Sequence, residues 1–272
     1  MADALPPETF PAHLFMIGCG NMAGQMLSRW LACGLDPARV TVLRPSGRPV
    51  AEGVTVVTEY PAQLQPGTAV LLGMKPYQFD AVAAALASVD APDVLYISIL
   101  AGLTAERLGT ALDGPVVRVM PNTPVGVGQG VCALYADTRV AEGARAAVAR
   151  LMAPLGLAEW ISEEEAFNLV TALSGCGPAY LFRFIDALAV AGARLGLPRE
   201  QAERLALQTV QGAATLAAQT SENPGVLADR VASPGGMTRK GMDVLDADDR
   251  LVTLLEDTIR AARDRGAEMT RE

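Results

Sequence analysis

Short apolar runs separated by polar, helix-forming stretches dominate the N-terminal half of the chain. The runs are typical of buried β-strands and lie at 14–17, 40–43, 54–57, 69–72, 94–98, 116–120, 131–135 and 158–161. Helix-forming stretches lie at about 25–31, 61–64, 78–87, 104–112 and 141–152. Strands that alternate with helices at this spacing predict a doubly wound parallel sheet, so this half is an α/β domain of Rossmann-like topology.

The pattern changes after residue 162, where only helical periodicity remains. Helices are predicted at about 163–173, 178–195, 198–219, 224–231, 238–245 and 250–268. We therefore divide the chain into a proline-rich flexible tail (1–12), a Rossmann domain (13–162) and an all-α domain (163–272). The apolar stretches 205–216 and 252–259 are too extended for a lone domain of this size to bury, which predicts an obligate dimer through the helical half.

The first strand runs into a Gly-x-Gly-x-x-Ala turn, Gly18 to Ala23, which a helix follows. This strand–turn–helix context is the one that a dinucleotide-binding fingerprint requires. Gly18 permits the tight turn, Gly20 keeps the backbone clear for a pyrophosphate, and Ala23 lets the helix pack closely on the strand. Asn21 and Met22 lie at the helix N-terminus, which favours phosphate binding. A purely structural glycine turn is the alternative interpretation.

The end of the second strand favours NADP over NAD. An NAD-binding fold usually places an acid there for the ribose hydroxyls, whereas this chain has Arg44, Ser46 and Arg48. Arginines and a hydroxyl would bind a 2′-phosphate that a carboxylate would repel. The alternative is that the two arginines are merely solvated. The predicted cofactor is accordingly NADPH, with NADH as the second choice.

Three further strands end in polar turns on the same predicted edge of the sheet. These turns contain Lys75-Pro76, the segment 98–102 with Ala101 and Gly102, and Asn122-Thr123-Pro124. Because ligands of open α/β sheets bind beyond the carboxyl ends of the strands, the three turns predict a nicotinamide pocket. Each could instead be only a turn.

Composition narrows the class of protein. The net charge of −8 disfavours nucleic acid and anionic membranes as partners, and no apolar run reaches the ~18 residues of a membrane span. Four cysteines without CxxC spacing and the absence of a signal-peptide pattern predict a cytoplasmic protein with reduced thiols. The single histidine, His13, excludes a Ser-His triad and most His-based metal sites, so no metal is expected.

Two loops in the helical half contain more Gly, Ser and Thr than packing requires. One runs from Ser174 through Cys176 to Tyr180, and the other is Ser233-Pro234-Gly235-Gly236-Met237-Thr238. Each precedes a helix whose free N–H groups could hold a small carboxylate. The alternative is that both are simply capped helix starts, with the Thr238 hydroxyl as an N-cap.

Taken in order, these motifs resemble the pyrroline-5-carboxylate reductases, the last enzymes of proline biosynthesis. The resemblance covers about residues 14–265 and rests on the glycine turn, Lys75-Pro76, 98–102, 120–124, 174–180 and 233–238. It implies NADPH-dependent reduction of 1-pyrroline-5-carboxylate by a homodimer, which often assembles further into a decamer. It also implies that Ser233, Gly235, Gly236 and Met237 hold the substrate carboxylate, with Cys176 nearby and Thr238 as the catalytic hydroxyl near the ring nitrogen.

The residue inventory agrees with this chemistry. A cyclic iminium is already electrophilic, so its reduction needs a hydride donor and orientation but neither a metal nor a covalent nucleophile. Reduction of another cyclic imine or of a keto acid, with Lys75 as acid–base, stays open, as does a non-catalytic nucleotide-binding paralogue. The chain departs from the family pattern at Tyr60, at Cys176, at Met237 with the following Arg239-Lys240, and at Asp248-Asp249, which bears on substrate affinity.

Overall fold

The computed structural model describes residues 7–271, and its centre is one eight-stranded sheet. The strand order is β3-β2-β1-β4-β5-β6-β7-β8, and every neighbouring pair is parallel except β6 and β7. The strands are β1 (His13–Ile17), β2 (Val40–Leu43), β3 (Thr55–Val57), β4 (Thr68–Leu72), β5 (Leu95–Ser98), β6 (Val116–Pro121), β7 (Gly130–Ala136) and β8 (Gly156–Trp160).

Ten α-helices complete the described part of the chain. They are α1 (Asn21–Ala32), α2 (Phe79–Leu86), α3 (Ala105–Leu112), α4 (Glu142–Met152), α5 (Phe167–Val170), α6 (Gly177–Arg194), α7 (Arg199–Ala218), α8 (Pro224–Val231), α9 (Met237–Asp246) and α10 (Arg250–Arg271). A π-helix, Thr171–Gly175, joins α5 to α6. The predicted fold class, a Rossmann-like sheet followed by a helical region, is confirmed.

The sheet is buried on both faces, because alternate residues of each central strand enter separate cores. In β1, Leu14 and Met16 pack into one cluster while Phe15 and Ile17 pack into the other. Trp30 of α1 is fully buried in the first cluster, and its indole N–H donates to the carbonyl of Leu151 at 2.8 Å. The continuous apolar runs of the sequence are therefore strands covered on two sides.

Helix α1 packs closely on the sheet through small residues, as predicted. Ala23 is buried, and a Cβ added to Gly73 would lie 3.0 Å from its methyl group. This contact brings the start of α1 beside the end of β4, which is where the site described below is formed.

Two local predictions, the helix at 61–64 and the flexible tail at 1–12, differ from the structure. The segment 61–64 is not a helix, because its backbone pairs with Asp90: the Leu64 N–H donates to Asp90 O at 2.8 Å, and the Asp90 N–H donates to Ala62 O at 3.0 Å. Residues 1–6 of the predicted tail lie outside the described residues. The rest differs from a tail, since Phe10 is buried and Arg39 donates to the carbonyls of residues 10–12.

The chain forms two compact units, which are residues 1–176 together with 262–272, and residues 177–261. The boundary near residue 162 follows β8 and stays a prediction. In the second unit α6 and α7 pack through a small cluster of buried alanines, Ala189, Ala202 and Ala206. Many large apolar side chains of this unit are exposed, among them Phe182, Phe184, Leu207, Leu216, Val252 and Leu254.

One helical stretch, Glu164–Arg194, is long and apolar enough by composition to cross a membrane. No such run is predicted from the sequence, because the most apolar candidate, 181–197, is interrupted by Arg183, Asp186 and Arg194. Only 6% of the most apolar window is buried. The stretch therefore leaves most of its apolar surface exposed in a single chain.

Candidate active site

The glycine turn after β1 has the geometry that close approach of a phosphate requires. Gly18 has a φ of +82°, and a Cβ there would lie 2.9 Å from the backbone nitrogen of Met74, so only glycine fits. Gly20 is the N-cap of α1, and a Cβ added to it would meet no atom within 4 Å. Within residues 7–271, the first three N–H groups of α1 have no acceptor. The turn therefore presents free donors at the positive end of the helix dipole.

A cavity of about 790 Å³ opens in front of this turn, at the carboxyl ends of β1, β2, β4 and β5. It brings together most of the predicted nucleotide-contacting residues, namely Gly18, Gly20, Asn21, Met22, Arg44, Ser46, Lys75, Pro76 and Ala101. Both its size and its place at the sheet edge are typical of a small-molecule site in an open α/β fold.

The turn after β2 places Arg44 and Ser46 at the cavity. The Arg44 N–H donates to Val57 O at 3.0 Å, and the Gly47 N–H donates to Arg44 O at 3.1 Å, with Gly47 at a φ of +61°. The Ser46 hydroxyl accepts from the Arg48 N–H at 3.4 Å. Arg48 itself does not border the cavity; it contributes its carbonyl, 3.5 Å from Nη1 of Arg44.

Sequence reasoning missed several residues that border the cavity. Thr58 follows β3 directly, and that position at a carboxyl strand end was the signal that could have found it. Gln78 accepts the Lys75 N–H on its side-chain oxygen at 3.0 Å, which fixes the Lys75-Pro76 turn. Tyr60, noted only as a family departure, also borders the cavity, and burial raises the pKa of its phenol. The phenol therefore stays protonated at neutral pH and can donate a hydrogen bond.

Two residues predicted to contact the nucleotide do not border the cavity. Gly102 has a φ of +77°, and a Cβ there would lie 3.2 Å from the carbonyl oxygen of Met269, so close packing already requires glycine. Asn122 is buried, and both ends of its amide are bonded within the protein. The structure therefore gives each residue a role inside the protein, and a contact of either with the nucleotide stays a prediction.

The residues that border the cavity fit a nicotinamide dinucleotide. The free N–H groups of α1 suit the pyrophosphate, and Arg44 and Ser46 suit a 2′-phosphate. None of the described residues that line the cavity carries a carboxylate. Cys19 also lines it, and burial raises the pKa of the thiol, partly offset by the nearby Arg44 guanidinium. No described cluster of His, Cys, Asp and Glu side chains could hold a metal ion.

The loop before α9 lies in the second unit and leads into the N-terminus of that helix. Gly235 has a φ of +73°, and Gly236, whose N–H donates to Ser233 O at 2.9 Å, is the N-cap. In the described part of the chain, the N–H groups of residues 237–239 have no acceptor. Met237 and Thr238 are exposed. The loop can therefore offer three backbone donors and a hydroxyl to a carboxylate.

The N-cap interpretation of Thr238 was wrong. Helix α9 begins at Met237, so Thr238 is its second residue, and the Gly236 backbone takes the cap position. The Thr238 hydroxyl forms no hydrogen bond to any described residue. The cap position is occupied by Gly236 and not by Thr238, so the threonine hydroxyl is not used for capping and is available for a ligand.

Cys176 ends the π-helix in the first unit. Its N–H donates to Thr171 O at 2.9 Å, the five-residue spacing of a π-turn, and its thiol is free and half-buried. The other three cysteines are free as well. Single π-turns are frequent at functional sites, which makes this turn the second candidate substrate contact.

Comparisons with known proteins agree with this geometry. A family model described as NADP oxidoreductase, coenzyme F420-dependent, matches residues 14–102. A second model, described as pyrroline-5-carboxylate reductase dimerisation, matches residues 164–269. The first contains the glycine turn and all the residues that line the cavity, and the second contains both candidate substrate loops.

Relatives match along almost the whole chain. The pyrroline-5-carboxylate reductase of Pseudomonas aeruginosa is 36% identical over 267 residues, covering 96% of this chain and 97% of that protein. The reductase of Arabidopsis thaliana is 36% identical over 266 residues, covering 95% of each. Among solved structures, the Coxiella burnetii reductase superposes with a TM-score of 0.86 at 32% identity, over 95% of this chain and 98% of that one. The Plasmodium falciparum reductase, solved with NADP bound, gives 0.78 at 25% identity over the same shares.

Proposed function

We propose that this chain, which belongs to the pyrroline-5-carboxylate reductase family, reduces 1-pyrroline-5-carboxylate to L-proline with NADPH. The observation that carries the proposal is the cavity at the sheet edge, which combines a glycine turn, free helix N–H groups and Arg44 without a lining carboxylate among the described residues. When bound there, NADPH supplies the hydride.

The chain's own residues bind and orient the nucleotide. The N–H groups at the start of α1 hold the pyrophosphate, and Arg44 with Ser46 holds the 2′-phosphate. Lys75-Pro76, fixed by Gln78, and Ala101 border the end of the cavity nearest β4 and β5. These contacts position the reacting ring without any covalent step by the protein.

The loop before α9 binds the substrate in this proposal. Its free N–H groups donate to the carboxylate, and the Thr238 hydroxyl donates to the ring nitrogen as the nitrogen gains electron density. An imine that is protonated in solution needs no further acid, so orientation supplies most of the rate. Cys176, on the π-turn of the first unit, is a separate candidate contact, and its thiol bonds more weakly than a hydroxyl.

We further propose that the enzyme is a cytoplasmic homodimer formed through its helical half, five copies of which can assemble into a decamer. Exposed apolar residues such as Phe182 and Leu254, and the dimerisation family match, support a second copy as the occupant of this surface rather than a membrane. Multi-angle light scattering in detergent-free buffer tests this. A stable monomer at micromolar concentration would overturn it, and Phe182→Asp should weaken the association.

The decisive experiment measures NADPH oxidation with 1-pyrroline-5-carboxylate beside a six-membered cyclic imine and an open-chain keto acid. We expect the five-membered imine to give the highest kcat/KM, with proline as the product by chromatography. A higher kcat/KM for either competitor would reassign the substrate. Tight NADPH binding with no turnover of any of them would identify a nucleotide-binding paralogue.

A further inference from the structure

We propose that Asn122 is a positioning residue for the imine substrate and not a nucleotide contact. Its side chain holds the turn Ser174-Gly175-Cys176, which the proposed function places at the substrate. The inference thus rests on the proposed function for its effect on catalysis, whereas the contact itself is independent of it. All the residues that make the contacts it rests on belong to the first compact unit.

Both ends of the Asn122 amide are committed to the protein. Its Oδ1 accepts the Val131 N–H at 2.8 Å, and its Nδ2 donates to the carbonyl of Ser174 at 2.9 Å. The Asn122 backbone N–H donates to Val131 O at 3.1 Å as well. The residue is only 6% exposed, and each end of its amide already has a partner within the protein.

The carbonyl of Ser174 accepts no backbone N–H from α6 among the described residues. At α-helical spacing its partner would be Pro178, which has no N–H, and the π spacing that Cys176 adopts is not continued to Ala179. Asn122 supplies the missing donor from the end of β6. A half-buried carbonyl without it would lose a hydrogen bond at the point where the chain passes into α6.

The turn has little freedom to adjust by itself. The Cys176 N–H is bonded to Thr171 O, and a Cβ added to Gly175 would lie 3.2 Å from the Thr171 side chain. The turn can therefore shift as one piece against the sheet but cannot easily change its internal shape. Asn122 fixes that shift, and hence the place of Cys176 relative to the sheet edge.

Asn122→Asp tests the contact with a change of nearly equal shape. The ionised carboxylate still accepts from Val131 but cannot donate to Ser174, whose carbonyl oxygen it repels. Burial and the facing carbonyl raise the pKa of the introduced carboxyl. As the pH falls below that raised pKa, the carboxyl is protonated and can donate again. The defect is therefore expected to shrink at low pH.

The assay compares wild type, Asn122→Asp and the control Thr171→Val between about pH 5.5 and 8.5. Thr171→Val removes a hydrogen bond of the same turn, Oγ1 to Phe167 O at 2.7 Å, without touching the contact to β6. At the upper pH, Asn122→Asp should raise the KM of the imine about tenfold, with the KM of NADPH changed less than about twofold. The control Thr171→Val should change neither KM. The imine KM of Asn122→Asp, divided by that of the wild type, should fall towards one at low pH.

An equal or larger rise in the KM of NADPH would overturn the proposal and return Asn122 to the nucleotide site. An imine KM unchanged at every pH would overturn it as well. Hydrogen exchange of the segment 171–176 provides a readout that does not need turnover. Asn122→Asp should speed exchange there at neutral pH and Thr171→Val should not; equal rates would refute the contact even if the wild type reduced a different substrate.

Discussion

Arg44 is expected to set the preference for NADPH, and Arg44→Gln and Arg44→Asp test it. Its backbone is held by the sheet, because the N–H donates to Val57 O at 3.0 Å whatever side chain is present. Among the described residues, the one hydrogen bond of the guanidinium is to the Arg48 carbonyl at 3.5 Å, the limit of hydrogen bonding. Substitution should therefore leave the fold unchanged and remove mainly the contact to a 2′-phosphate.

The magnitude follows from that contact. A hydrogen bond from a charged group contributes about 1.5–3 kcal/mol, which corresponds to about 10- to 150-fold in kcat/KM. Arg44→Gln should lose this factor with NADPH, mainly through a higher KM. Arg44→Asp should lose more, because a carboxylate repels the phosphate. NADH has no 2′-phosphate, so its kcat/KM should change by less than about twofold.

Steady-state kinetics with both nucleotides, at saturating imine, measure this directly. Arg48→Gln is the matched control, since both hydrogen bonds that Arg48 makes in the turn use its backbone N–H and carbonyl, which the substitution keeps, and Arg48 does not border the cavity. Equal losses with NADPH and NADH for Arg44→Gln would show that Arg44 has a structural role, and the assignment of the 2′-phosphate site would then fall.

Three further changes have defined outcomes. Thr238→Ala should lower turnover by about one to two orders of magnitude, each tenfold being about 1.4 kcal/mol, with an unchanged melting temperature because the hydroxyl caps nothing; full turnover would remove it from the active site. Glu164→Ala should destabilise the fold by about 3–5 kcal/mol in denaturant titrations, because it leaves the buried Arg118 guanidinium unpaired, and a loss below about 1 kcal/mol would contradict this. Asp248 and Asp249 have φ values of +55° and +52°, in the left-handed region that favours glycine. Replacing both by glycine should therefore raise the melting temperature by a few degrees. A decrease would show that their backbone is unstrained.

The sequence by itself determined the features that depend on neighbours along the chain. Apolar runs such as that of β1 identified the strands, because a strand that is buried on both faces consists almost entirely of apolar residues. The turn from Gly18 to Gly20, followed by a helix, predicted a nucleotide site, and Arg44 predicted NADPH. The strand, the turn and the helix are confirmed because they are contiguous, so their pattern can be seen in ten residues; the nucleotide contacts of the single residues stay predictions.

Only the tertiary structure decided the features that depend on distant partners. Asn122 appeared to be a cavity residue because it follows a strand, yet its amide is committed to Val131 and to Ser174, 52 positions away. The segment 61–64 appeared helical until Asp90 paired with its backbone. A buried polar group must be bonded, and local pattern shows the group but not which remote segment will supply its partner.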